Sequence, residues 1–384
     1  MRGLVRLEDL PEKMVYVRLS SDFLKKSKEM IVKRCVISLS KEIGAKSLIR
    51  HWLREGTLIR LDVLNKISAA LNLSFKDNII EIRGKKGFPI LNPKLPFDFR
   101  TESGVKFIAA VFGDGCLDKR SNIFYSNTNP DLIEGFLKDS RNIFGDIKYS
   151  LWESKEQGND IKTATLPPIA GKAFEALGFP KGRKVFTNPK IPDFIFSLNK
   201  DRIFQFIGQI IDDEGSISHH SRHISINQSV WSNYETSNLM DGIKKLLLKL
   251  GMDCSLRSSM YNTVRGKMAM WRLEIHSFDN LERLHKFSEM RHIKKKKCLE
   301  ALIKSKQQSQ FSKKKCREIY LDLMKKLETE KGFFTSFDIS KATNRDVGTC
   351  RNTLVKLEKL GLIKEIGAYY GGNLHKPAKF VVSK

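Results

Sequence analysis

Apolar residues run almost unbroken from Phe107 through Ile108, Ala109, Ala110, Val111 and Phe112, then stop at Gly113-Asp114-Gly115. Such a run predicts a helix apolar on all sides, buried, with a polar tip. The pattern returns as Ile207-Gly208-Gln209-Ile210-Ile211-Asp212-Asp213-Glu214-Gly215, with Glu214 100 residues after Asp114. The residues after each copy are alike in pattern. A strand-like stretch comes first, then an amphipathic helix containing a glycine (Leu132 to Phe136; Leu239 to Ile243). A glycine ends that region (Gly145; Gly251), and alternating strands come next (Ile147 to Trp152 and Thr163 to Leu166; Cys254 to Ser258 and Trp271 to Ile275). The economical prediction is an α+β fold with a pseudo-twofold duplicated core, repeat 1 over 101–200 and repeat 2 over 201–305.

The flanks have other periods. Residues 1–85 contain Leu39 to Gly44, Lys46 to Arg54 and Leu61 to Leu71, which predict three helices with a glycine turn. This resembles small helix-turn-helix domains of phage-repressor type. Lys46, Arg50 and Arg54 would lie on the exposed side of the second helix, where such residues meet phosphates and base edges. A helical bundle that only packs on its neighbour is the alternative. Residues 86–100 are rich in Pro and Gly and read as a linker. In 312–384, helices over Lys313 to Lys331, Thr335 to Ala342 and Asp346 to Leu360 precede a hairpin of Gly361 to Ile366 and Lys379 to Val382. Three helices and a hairpin predict a winged helix, with Arg345 and Arg351 as candidate DNA contacts. Winged helices also serve as protein-interaction modules.

Charge adds a partner. The 384 residues carry 69 Lys and Arg against 43 Asp and Glu, a formal net charge of +26. That excess attracts phosphate backbones over several ångströms. A ribosomal or membrane-surface role is the bland alternative, but the charge falls in blocks beside the motifs. Hydrophobic residues make up 41%, enough for real cores. The six cysteines are scattered, without the spacing of a zinc site or redox pair. No apolar run has spanning length, so the expectation is a soluble cytoplasmic protein with no membrane partner.

The acids at the two helix tips carry the chemistry. If the motif helices pack together, Asp114 and Glu214 arrive side by side. Two carboxylates that close repel unless a cation lies between them, and hard oxygen ligands suit Mg²⁺ or Mn²⁺. These residues resemble the paired motifs of the monomeric LAGLIDADG homing endonucleases, over about residues 101–300. The resemblance implies saddle-like antiparallel sheets lying on DNA, Asp114 and Glu214 as metal-binding acids, and site-specific cutting of double-stranded DNA by a monomer. Gln209 departs from a usual small position, and Phe112 stands where Asp212 has an acid. The family also places a lysine near the active site at the end of each repeat. Lys190, in Asn188-Pro189-Lys190-Ile191-Pro192, fits repeat 1, and Lys294, or Lys295 beside it, fits repeat 2. Such a lysine stabilises charge building on phosphate, or else only grips a phosphate.

Base-reading candidates come from the strands after each motif: Lys119, Arg120, Asn122 and Asn127 in repeat 1, and His220, Arg222, His223, Asn227 and Gln228 in repeat 2. Trp152, Trp231 and Trp271 read as core. Two rivals remain open on the residues alone. One is a non-catalytic transcription regulator, and the other is an RNA maturase or processing factor on the same fold.

Overall fold

The computed structural model describes residues 3–33, 57–156, 158–218, 223–264, 266–309, 313–367 and 378–383. The chain forms two compact units, Met1–Glu300 and Ala301–Lys384. Mixed helices and antiparallel sheets make it an α+β protein, as the periodicities predict.

In the first unit, two long helices, Glu102–Phe112 and Lys200–Glu214, pack against each other. We call them the first and second motif helices. Each starts on a side-chain cap: the Thr101 hydroxyl accepts from the Gly104 N–H at 3.1 Å, and the Asn199 carbonyl oxygen from the Arg202 N–H at 3.0 Å. Each ends at acid-glycine for a steric reason. A Cβ on Gly115 would lie 2.7 Å from Val111 Cα, and one on Gly215 would lie 2.5 Å from the Ile211 carbonyl oxygen. Only glycine lets the chain fold back so tightly over the helix end into the next strand.

Each motif helix leads into a four-stranded antiparallel sheet. The first holds Gly115–Leu117, Ile123–Asn127, Ser150–Glu156 and Asn159–Leu166. The second holds Gly215–Ser218, His223–Trp231, Ser255–Thr263 and Gly266–Ile275. Both have the spatial order first, second, fourth, third. A helix lies between second and third strands in each, Pro130–Phe144 and Asn238–Lys249. Alternation sorts the faces. Tyr125, Ala164, Ile224, Ile226 and Leu273 are fully buried, whereas Phe124, Arg272 and Arg257 are not.

A phenylalanine cluster anchors the first half. Phe97, Phe99, Phe107, Phe136, Phe144 and Phe174 are all fully buried. Phe107 stacks on Phe136 at 5.0 Å, and Phe97 meets Phe144 edge-on at 4.9 Å. Each such side chain contributes about 1.5–3 kcal/mol by burial.

The stretch 86–100, expected as a linker, is instead built into this unit. Ile90–Leu91 pairs with Ile79–Gly84 on one side and Asp146–Ile147 on the other, and Phe97–Asp98 pairs with Leu4–Val5. The prolines obscured the apolar positions Ile90, Phe97 and Phe99, which supply the burial. A five-stranded sheet therefore runs from Ile59–Arg60 through Val15–Leu19 to Asp146–Ile147. The N-terminal region contributes strands as well as the helices Ser21–Lys33 and Leu61–Leu71. The turn and second helix expected over 39–54 lie outside the described residues.

In the second unit, the helices Lys313–Lys331, Ser336–Thr343 and Val347–Lys359 precede an antiparallel pair, Ile363–Gly367 with Lys379–Val382. Its core is Tyr320, Met324, Phe334, Ile339, Cys350, Leu354, Leu357, Ile363 and Phe380. Thr335 and Asp338 form a reciprocal capping box, and the Asp346 carboxylate accepts from the Thr349 N–H at 2.8 Å. Among the described residues, no helix is long and apolar enough to cross a membrane.

Candidate active site

The two motif helices end side by side, and the acids at their tips sense each other. Burial holds the Glu214 carboxyl above the usual carboxylate range, and the charge of Asp114 adds to that rise. Burial also raises Asp114. The Asp114 side chain has an exposed edge, but protein surrounds it on the remaining sides, so water solvates it from one direction only. The Asn127 amide donates to Asp114 Oδ2 at 2.6 Å.

Each helix end is capped by a lysine from a distant segment. Lys184 Nζ donates to the Phe112 carbonyl oxygen at 2.7 Å, and also to the carbonyl oxygens of Val111 and Gly113. Lys295 Nζ donates to the carbonyl oxygens of Ile211, Asp212 and Asp213 at 3.1, 2.6 and 3.2 Å. These positions correspond one to one along the motifs. The last carbonyls of a helix are unpaired and carry its negative dipole end, so a cation there is stabilising. Burial lowers both ammonium pKa values, opposed by the charges of the neighbouring carboxylates: Glu214, Asp114 and Asp213 at Lys184; Asp212, Asp213, Asp114 and Glu214 at Lys295.

The two acids that precede Glu214 are hydrogen-bonded into the fold. Asp213 packs on Gly113, where a Cβ would fall 2.5 Å from its carboxylate oxygen. Tyr125 Oη donates to Asp213 Oδ1 at 2.6 Å, and Gln209 Nε2 donates to the same carboxylate at 3.1 Å. Gln209, out of pattern as a large residue, thus works as an amide donor at the helix interface. Burial and the Asp114 charge keep the Asp213 carboxyl well above its usual range. The Asp212 carboxylate accepts the backbone N–H groups of Arg291 and His292 at 2.6 and 3.2 Å. This fixes the start of the helix Ile293–Ser309, from which Lys295 projects. Gly208 makes room for Ser288 rather than for the first motif helix, since a Cβ there would lie 2.8 Å from Ser288 Cβ.

The remaining expected residues divide. Lys190 and Lys294 are exposed, and the lysines that reach the helix ends are Lys184 and Lys295. Lys184 stands in the basic phrase Lys181-Gly182-Arg183-Lys184, a less distinctive signal than the Lys190 phrase. Lys119 and Arg120 are exposed at a strand turn, whereas the Asn122 amide holds that turn by donating to Asp118 Oδ2 at 3.0 Å. Asn227 lies on the open sheet face, accepting from Arg272 Nε at 3.0 Å. Gln228 is turned to the other side, where its carbonyl oxygen takes the Ser237 hydroxyl. His223 lies 3.6 Å from the Glu274 carboxylate. Trp152, expected in the core, is 50% exposed. In the second unit Arg351 is exposed, while Arg345 lies over the Tyr320 ring at 5.4 Å. Lys46, Arg50, Arg54, His220 and Arg222 lie outside the described residues.

A metal at this site would have few protein ligands. No group of three or more His, Cys, Asp or Glu side chains among the described residues is arranged as a cage. Two carboxylates at neighbouring helix tips, each partly desolvated, do fit an ion that keeps several waters and takes phosphate oxygens, as Mg²⁺ does. A cleft, of about 410 Å³, is lined by Glu214, Lys184, Arg183, Cys116 and the strand Asn227 to Ser229.

No protein-family model and no curated protein matches the chain. Among solved structures it is similar to mesophilic variants of the homing endonuclease I-DmoI, with 14% identity and a TM-score of 0.31 over 49% of this chain and 96% of that one. It is also similar to an I-DmoI variant bound to its target DNA in the presence of manganese, with 13% identity and a TM-score of 0.33 over 50% and 98% of the two chains. A third similar structure is I-DmoI with DNA and calcium, with 15% identity and a TM-score of 0.31 over 49% and 90%.

Proposed function

We propose that this chain is a metal-dependent endonuclease that cuts double-stranded DNA at a specific site, on a duplicated LAGLIDADG-like core. The observation that carries the reading is the matched pair of helix ends, one bearing Asp114 with Lys184 behind it and the other bearing Glu214 with Lys295 behind it. Each half offers one acid and one buried cation, as cutting two strands requires.

Asp114 and Glu214 would hold one or more divalent ions, Mg²⁺ or Mn²⁺. Such an ion, when bound, activates water and stabilises the leaving oxygen. The chain's own groups do the rest. Asn127 orients the Asp114 carboxylate by taking one of its oxygens. Lys184 and Lys295 neutralise the carbonyl ends of the motif helices, which would otherwise repel a scissile phosphate. Their charges also favour the ionised acids. Asp213, Tyr125 and Gln209 hold the two helix tips in register.

The open face of the second sheet, with Asn227, Arg272 and the exposed Arg257, would meet the grooves. The helix-turn-helix expected in 1–85 and a winged helix in 312–384, presenting Arg351, would lengthen the footprint. A monomer is sufficient because both acids come from one chain.

The test is cleavage of a randomised duplex library with Mg²⁺ or Mn²⁺, beside an Asp114→Asn/Glu214→Gln double variant. Specific cuts lost in the variant support the reading. Tight binding by both proteins without cutting under either metal overturns it and leaves a non-catalytic regulator.

A further inference from the structure

Next along the chain from the walls of the cleft that holds Glu214 are two aromatic rings that have no part in the chemistry above. Lys184 opens the short helix Lys184–Thr187, and Phe186 is two residues on. At 3.6 residues per turn, positions two apart point to nearly opposite sides. Lys184 turns in to the motif-helix end, and Phe186 turns out, 42% exposed. Its ring lies against Trp231 with centroids 5.3 Å apart and planes at 56°.

The pair is braced from behind. Tyr234 Oη donates to the Phe186 carbonyl oxygen at 2.5 Å. Gly266 leaves space for the indole, since a Cβ there would lie 2.8 Å from the Trp231 ring. Trp231 belongs to the open face of its strand, the face of Asn227 and Ser229, and those two residues line the cleft with Arg183, Lys184 and Glu214. The open face of that strand therefore carries an aromatic pair next to a cleft with a carboxylate and two cations, Trp231 following Ser229 on the strand and Phe186 following Val185 of the cleft wall. That order of groups matches a nucleotide, with phosphate at the cationic end and base at the aromatic end. A base stacks on an aromatic ring with little regard to its identity.

We propose that Phe186 and Trp231 form a stacking platform for one nucleobase of the strand whose phosphate lies in the cleft beside Arg183 and Glu214. The proposal rests on the reading of this cleft as a DNA site. A base reaches the platform only by leaving its own stack, so a base that is already mispaired should reach it at lower cost.

The experiment measures equilibrium binding of the full chain to a labelled duplex, enriched by binding from a randomised library, at fixed salt. An abasic nucleotide and a mismatch are moved along the duplex one position at a time. Wild-type protein should lose affinity on the order of 10- to 100-fold at one abasic position, and should gain affinity from a mismatch there. Phe186→Ala should bind the intact duplex more weakly by a similar factor and show neither effect at that position. Phe186→Tyr should restore both effects, and Phe186→Leu, which keeps apolar bulk without a π face, should not. If Phe186→Ala and Phe186→Leu reproduce the wild-type scan, the platform is overturned while the DNA reading stands. If the wild-type protein binds no duplex, the DNA reading falls and the platform with it.

Discussion

Lys295 and Asp212 hold each other twice over: Lys295 Nζ donates to the Asp212 carbonyl oxygen at 2.6 Å, and the Asp212 carboxylate fixes the Arg291 and His292 backbone that leads to Lys295. The second motif helix thus both receives the lysine and sets where it comes from. The first motif helix has Phe112 in place of Asp212, and Lys184 arrives instead on the separate short helix Lys184–Thr187.

If these lysines serve the chemistry, replacing them should differ from replacing their exposed neighbours. Lys184→Met and Lys295→Met should each lower single-turnover cleavage on the order of 100-fold, the scale for losing one preorganised charge. Lys190→Met and Lys294→Met should leave the rate near wild type and at most reduce the salt dependence of binding by about one ion. Equal rate losses in all four variants would contradict the assignment.

Divalent metal should stabilise the fold through Asp114 and Glu214. An ion that binds only the native chain raises stability by about 2.7 kcal/mol at a concentration 100 times its dissociation constant. Thermal melts with increasing Mg²⁺ or Mn²⁺ should rise for wild type and stay flat for the Asp114→Asn/Glu214→Gln variant. This readout needs no substrate, so it tests the metal site apart from activity.

The Arg291–Asp139 pair ties the end of the second half to the helix Pro130–Phe144 of the first, at 2.7 Å with the Asp139 side chain almost fully buried. Breaking a buried pair from one side leaves an unmatched charge and costs about 3–5 kcal/mol. Arg291→Met should show that loss in urea unfolding. The double variant Arg291→Met/Asp139→Leu should recover most of it, and a loss that simply adds would argue against direct coupling.

Asp212 gives a pH signature. Burial pushes its carboxyl up to about 6 in the folded chain, against an ordinary value of 3.8. The folded state therefore holds this proton more tightly than the unfolded state. The corresponding stability is full below pH 3.8 and is lost as pH rises to about 6. Carboxylates held low by ion pairs, such as Asp98 and Asp338, slope the other way, so the informative quantity is a difference. Metal-free urea midpoints for wild type and Asp212→Asn should converge between about pH 4 and 6 as the wild type loses this contribution. A constant offset of about 1–3 kcal/mol should remain, because an asparagine cannot accept both backbone N–H groups. A gap that is the same at every pH would refute the shift.

The sequence by itself determined the α+β class, the two acid-tipped helices and the helical and hairpin elements of the last segment. Those arise from local causes: apolar periodicity, capping by Thr101, Asn199 and Thr335, and glycines where a Cβ would strike the preceding turn. Only the tertiary structure decided which lysines reach the ends of the acid-tipped helices. A lysine stem is long and flexible, and many lie near the right place in the sequence. The choice of Lys184 and Lys295 depends on where separate helices begin, and Asp212 sets one of those starts from 79 residues away. Likewise Phe97 and Phe99 are recognisable as core only when strands from distant segments close around them. Gln209 and Asp213 were polar residues in an apolar stripe, without meaning until Tyr125 donated to Asp213 from the other half, with Gln209 bonded to the same carboxylate. Local patterns select elements because neighbours along the chain interact at fixed spacing, whereas a site assembled across a fold depends on pairings that no local spacing records.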